Sequence, residues 1–200
     1  MGLFDKIFGR TKKTEHLTEK VEMMNPNDIW FTTPTISNEF PQLAEKINET
    51  EFDIFIHEDD YRQNEFLNQN SLPKIEEEFI GIRDIWNNHS KKNDEYTLFK
   101  SCHVRKTIGS PNLAINFKEL KSLLKCETVG QVVINGNILL NGFAIKTENT
   151  TYFGLLNDDN VFELCISQWN DNTTSEILDI NKTFNSVFVN WYHCDLIKND

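Results

Sequence analysis

The sequence predicts an α+β domain: a mainly antiparallel sheet, with a C-terminal β-meander, packed by about three helices. Three observations lead there. From Gln131 to Trp169, short apolar and β-branched runs are punctuated by Asn135-Gly136, Asn141-Gly142, Glu148-Asn149-Thr150 and Asn157-Asp158-Asp159-Asn160. Asn-Gly is the dipeptide that best tolerates two successive positive φ values in a tight hairpin turn. Three other stretches carry apolar residues three and four apart, the helical period. Hydrophobic residues make up 38% of the chain, with 15 Phe and 4 Trp, enough for a core that a disordered chain would lack.

Two hundred residues fit one domain with a tail. Residues 1–25 read as the tail and 26–200 as the domain. In the tail Leu3, Phe4, Ile7 and Phe8 share one helical face, opposite Asp5 and Lys6. One reading is a peripheral membrane adaptor anchored by residues 1–13, with Lys6, Arg10, Lys12 and Lys13 meeting anionic lipid. The plainer reading is a short helix docked on the domain. Myristoylation is not indicated, because Lys6 stands where that pattern wants Ser or Thr.

Within the domain, Pro26 to Pro41 is a turn-rich connector carrying the apolar pair Trp30-Phe31. Ser37 is positioned to cap a short helix over Phe40 to Ile47, delayed by Pro41. Glu51 to Ile56 alternates as a strand, with Phe52, Ile54 and Ile56 on one face and Asp53 and Phe55 on the other. Ser71 to His89 is the clearest helix: Pro73 lies in its first turn and Leu72, Ile75, Phe79, Ile82, Ile85 and Trp86 form one stripe. Tyr96 to Arg105 reads as a strand and Asn116 to Cys126 as a helix with Phe117, Leu120, Leu123 and Leu124 inward. In the last meander strand Phe162, Leu164 and Ile166 alternate with Glu163, Cys165 and Ser167. Asp179 to His193 fits a closing helix across the sheet, although Val187, Phe188 and Val189 are also strand formers.

The chemistry-bearing residues are few. His57-Glu58-Asp59-Asp60 ends the Glu51–Ile56 strand, where a histidine and carboxylates could act as a general base or hold a cation. Contiguous side chains on a strand diverge, however, and nothing in the sequence marks partners for them. Cys102-His103 and His193-Cys194 are adjacent dyads, a spacing awkward for tetrahedral zinc. No metal and no cofactor are therefore expected. Phosphate loops, the nucleophile elbow and H-E-x-x-H are absent from the sequence. The four scattered cysteines suggest a reducing compartment, read as cytoplasmic.

A net charge of −11 disfavours nucleic acid and favours a basic protein partner. In size, acidity, fold class and lack of catalytic motif or export signal, the chain is similar to small bacterial immunity proteins that neutralise toxins, a likeness of type rather than of motif. The leading expectation is an acidic protein-binding module that occludes a basic partner through Glu58, Asp59, Asp60, Tyr61, Trp169 and Asp171. The alternative is an enzyme using His57 or His103 with nearby carboxylates.

Overall fold

The computed structural model describes residues 29–46, 50–92, 95–106, 108 and 113–199. The expected tail, and with it the membrane-anchor reading of residues 1–13, lies outside the described residues. In chain order the elements are β1 (Thr35–Ser37), β2 (Leu43–Ala44), β3 (Asp53–Phe55), β4 (Asn64–Asn68), α1 (Leu72–Asn88), β5 (Ser90–Lys92), β6 (Thr97–Phe99), β7 (His103–Arg105), β8 (Ile115–Asn116) and α2 (Phe117–Leu123). They continue with β9 (Gln131–Ile134), β10 (Asn137–Leu139), β11 (Gly142–Lys146), β12 (Thr151–Asn157), β13 (Asn160–Ile166), α3 (Thr174–Phe184), β14 (Ser186–Asn190) and β15 (Asp195–Ile197). Among the described residues no helix is long and apolar enough to cross a membrane.

The α+β class holds. One antiparallel sheet runs β11-β12-β13-β4-β14-β15, with β8 added beside β13. A smaller sheet runs β2-β10-β9-β3, in which β3 and β9 are parallel. The meander is therefore shared between two sheets: β9 and β10 belong to the small one, β11 to β13 to the large one. Paired backbone hydrogen bonds between Gly130 and Ala144 tie them together. The two Asn-Gly pairs also differ. Asn135 and Gly136 have φ of 50° and 80°, as a two-residue hairpin turn with both centres left-handed requires. At the second pair only Asn141 is left-handed, and Gly142 already belongs to β11.

Side-chain alternation gives the large sheet two buried faces. Phe66, Leu164, Ile166 and Phe188 join Leu120, Ile177 and Ile180 under α2 and α3. On the opposite face Leu67, Val187, Val189 and Trp191 pack under α1. Beside them Phe153 and Cys165 meet Val132, Ile134 and Leu139 of the small sheet.

That two-faced burial corrects several expectations. The Asp179–His193 segment is not one helix: α3 ends at Phe184, Asn185 takes the left-handed conformation (φ 51°), and β14 follows, every residue of it buried. A strand paired on both sides gives Val187, Phe188 and Val189 a buried place on each face, which a helix on the sheet surface could not. For the same reason both alternating sets of β13 are covered, and Glu163 and Cys165 are buried as well as Leu164 and Ile166. The Phe40–Ile47 stretch forms no helix over its described residues and contributes β2 (Leu43–Ala44). Tyr96–Arg105 divides into β6 and β7, which pair with β5 and β1 respectively. Strand β4, at the centre of the sheet, has too short and too polar a sequence (NEFLN) to announce itself. The helices over Ser71–His89 and Asn116–Cys126 form as the periodicity predicts. The Asn116 carboxamide caps α2 by accepting from the amides of Lys118 and Glu119.

Candidate functional site

Strand β3 delivers the chain to a single 3-10 turn, Glu58–Asp60. Its edge-facing Phe55 is 77% exposed, while Phe52, Ile54 and Ile56 face the small-sheet core as the alternation predicts. His57 caps the turn, its Nδ1 accepting from the amide of Asp59 at 3.2 Å. The carboxylate of Glu58 accepts from the Asn135 side chain at 3.0 Å, so the left-handed hairpin at Asn135-Gly136 braces the turn.

The chain then dives inward. Tyr61, expected as an exposed contact, is buried, and its hydroxyl donates to Glu163 Oε2 at 2.8 Å. Arg62 is buried with φ 58°, a conformation that costs a side-chain-bearing residue roughly 1–2 kcal/mol. Its guanidinium serves three carboxylates. Nε donates to Glu65 at 2.7 Å, Nη1 binds Glu39, and the same Nη1 lies 3.5 Å from Glu163. Glu65 also accepts from the indole N–H of Trp191 at 2.7 Å. Arg105 lies over the Trp191 ring, 4.9 Å from its centroid. That second guanidinium donates to the carbonyl of Arg62 at 2.9 Å and to Thr35 Oγ1 at 3.1 Å.

Burial and charge act against each other here. Burial lowers the Arg62 pKa, but Glu65 and Glu163 raise it further, so the guanidinium stays firmly charged. Burial pulls Arg105 down to about 10, which still leaves it charged at neutral pH. Glu163 moves the other way: burial pushes its carboxyl up, and Arg62 and the Tyr61 hydroxyl only partly offset this. A buried ionic network is a weak source of stability, because desolvation consumes most of the Coulombic gain. Buried networks and a strained residue beneath a surface turn are features that gather at functional sites.

Three clefts open around this turn. One of about 220 Å³ is walled by Glu58, Asp59, Phe40, Leu43 and Tyr61. Across the Glu39–Pro41 segment lies another of about 460 Å³, lined by Glu39, Phe40, Tyr61, Leu156, Phe162 and Glu163. The third, about 530 Å³, is bordered by His57, Asp60, Asn64, Asn190 and His193. Phe40 stands between the first two and is 84% exposed.

One wall of the second cleft carries a break in register. Leu155 pairs with Glu163 and Leu156 with Val161, which leaves Phe162 as the extra residue of a β-bulge. The bulge brings Phe162 to the same cleft as Glu163. Opposite it, Gly154 lets β12 approach closely: a Cβ there would overlap the backbone carbonyl of Glu163.

The other sequence-predicted residues lie elsewhere. Trp169 packs against Phe188 in the α2/α3 core, with ring centroids 6.1 Å apart and its indole N–H buried without a hydrogen-bond partner. Asp171 is exposed on the 3-10 turn leading into α3. The α2/α3 core and the Tyr61 core occupy opposite faces of the large sheet, so Trp169 and Asp171 do not join the acidic turn. His103 packs in the notch left by Gly81 of α1 and pairs with the buried Glu78 at 2.7 Å. The thiols beside the two histidine dyads, Cys102 and Cys194, are each pushed by burial to about 11. That is the reverse of what a nucleophilic cysteine needs. Among the described residues no group of three or more His, Cys, Asp or Glu could hold a metal ion.

Sequence reasoning missed Glu39, Phe40, Arg62, Glu65, Arg105 and Glu163. The available signal was a charge set inside an apolar run, as in Val161-Phe162-Glu163-Leu164. On a half-exposed strand it points to water; on a strand buried on both faces it marks an ionic network. Comparison with known proteins returns no match: no family model fits the chain, and no curated protein or solved structure is similar to it.

Proposed function

We propose that the protein is an acidic binding module that captures a basic protein partner at the turn Glu58–Asp60 and the neighbouring Glu39–Pro41 segment, and acts by occlusion. One observation carries the reading. Phe40 is held almost fully in solvent between two clefts whose walls bear Glu58, Asp59, Glu39 and Glu163. Covering a side chain of that size is worth roughly 1.5–3 kcal/mol. An apolar anchor ringed by charge is the arrangement in which aromatics hold a partner while carboxylates steer it in. Arg62 holds Glu39 and the Asn135 side chain holds Glu58, and rim groups held in place lose less entropy on association. We take the compartment to be the cytoplasm, where the four free thiols stay reduced. An immunity-type inhibitor of a basic toxin is the specific form of the proposal.

The test is affinity capture from the native cell, followed by binding kinetics with the purified partner. Glu58→Gln/Asp59→Asn/Asp60→Asn is expected to slow association and flatten its salt dependence. Phe40→Ala is expected to speed dissociation at least tenfold. A partner that binds both variants with wild-type kinetics at low salt would remove the proposal.

A further inference from the structure

The chain passes the acidic turn at its own entry into the fold. Thr32 and Thr33, near the start of the described residues, line the same cleft as His57, Asp59 and Asp60. On the other side of the turn, Glu58 and Asp59 share a cleft with Phe40 and Leu43. Phe40 is 84% exposed, Leu43 39%, and Leu140, whose amide donates to the Gln42 carbonyl at 2.8 Å, 42%. The surface thus runs in order from the entry point, across three carboxylates, to an open apolar patch. Glu58 accepts only from the neutral Asn135 carboxamide, and Asp59 lies 3.6 Å from His57. Among the described residues no lysine or arginine pairs with Glu58, Asp59 or Asp60.

The sequence ahead of the entry point carries a matching order. Counting back past residues 14–28, the basic Lys13, Lys12 and Arg10 come first, and the apolar Phe8, Ile7, Phe4 and Leu3 follow. Residues 1–13 set four basic side chains against Asp5 alone, in a chain whose net charge is −11. Opposite charges steer the two together, and the exposed aromatic patch gains from being covered. A flexible chain as long as the 14–28 stretch spans roughly 20 Å. Such a tether holds its end at an effective concentration on the order of millimolar. Resting on the binding-module reading, we infer that residues 3–13 occupy this surface in the free protein and that the basic partner must displace them. Leu3, Phe4, Ile7 and Phe8 would cover Phe40, Leu43 and Leu140, and the basic run would lie over Glu58–Asp60.

The full chain tests this without the partner. A water-soluble carbodiimide joins a lysine amine to a carboxylate only when the two touch. It is expected to link Lys12 or Lys13 to Glu58, Asp59 or Asp60, and mixing isotope-labelled with unlabelled protein separates links within a chain from links between copies. Phe4→Ser/Phe8→Ser should weaken that link and move the amide chemical shifts of Gln42, Leu43, Glu58 and Leu140. Phe40→Ala, at an exposed position, should weaken the same link. The inference is overturned if the link is absent or forms only between copies, or if neither variant weakens it. It is also overturned if Phe4→Ser/Phe8→Ser leaves the patch unshifted and instead abolishes sedimentation with phosphatidylglycerol vesicles, which would assign the segment to a membrane surface. With a purified partner, the same double variant should associate roughly fivefold faster, because the surface is then open. A partner that ignores Phe40 and the acidic turn would remove the module reading yet leave the link intact. A missing link, with Phe40→Ala still speeding dissociation of the partner, would remove this inference alone.

Discussion

Replacing Arg62 with Met removes the positive charge at the centre of the buried network and retains most of the side-chain volume. Both residues carry a Cβ, so the cost of φ 58° cancels in the comparison. What remains is electrostatic. Glu65 and Glu163 are left buried without the guanidinium that Nε and Nη1 now provide. Removing one partner of a buried ion pair typically costs ~3–5 kcal/mol. At roughly 2–4 °C per kcal/mol for a chain of this size, the melting temperature should fall by on the order of 10 °C.

The loss should also depend on pH, and its sign follows from linkage. Burial already raises the Glu163 carboxyl above its ordinary 4.5, with Arg62 opposing the rise. A carboxyl raised in the folded state binds its proton more tightly there. Its contribution is fully present below the unfolded pKa and is lost as pH rises through the folded value. Without Arg62 the folded value climbs further, and each unit is worth about 1.4 kcal/mol. Arg62→Met should therefore lose less stability at pH 5 than at pH 7.5. Urea denaturation of both proteins at the two pH values, followed by tryptophan fluorescence, measures this directly. A loss below ~1 kcal/mol at both, or one larger at pH 5, would refute the electrostatic account of the network.

Three further outcomes follow from the packing. Gly154→Ala should cost ~1–3 kcal/mol by urea denaturation, because its Cβ meets the backbone of β13 at Glu163 and no flexible side chain can yield. Gly81→Ala should cost a similar ~1–3 kcal/mol by driving its Cβ into the His103 ring and freeing the buried Glu78. Adding His103→Ala relieves that overlap, so the double variant should lose less than the sum of the two single losses, and additivity would argue against the contact. Cys102 and Cys194, with thiols near 11, should react with iodoacetamide at pH 8 about a hundredfold more slowly than in the urea-unfolded chain. Fast labelling of either in the native protein, located by peptide mass mapping, would contradict the burial described for them.

Much of the architecture was legible in local pattern. The stripe from Leu72 to Trp86 made α1, and the alternation in Glu51–Ile56 made β3. Asn135-Gly136 made a hairpin turn because its two residues accept left-handed φ without help from the rest of the molecule. These features depend on neighbours a few residues away, and a sequence records such neighbours directly. The acidic turn at Glu58–Asp60 was equally plain, since contiguous charges after a strand end at the surface.

What the tertiary structure decided was which strands are covered on both faces. β4, β13 and β14 lie at the centre of the large sheet, with α1 and the small sheet on one side and α2 and α3 on the other. That placement turned the Asp179–His193 segment from one helix into α3 and β14. It also placed Glu163 in an ionic network with Arg62 and Glu65. Arg62 and Glu163 are 101 positions apart, as read from their numbers, and no periodicity relates them. Only the antiparallel pairing of β13 with β4 brings them together, beside a cleft lined by Glu163, the bulged residue Phe162 and the exposed ring of Phe40.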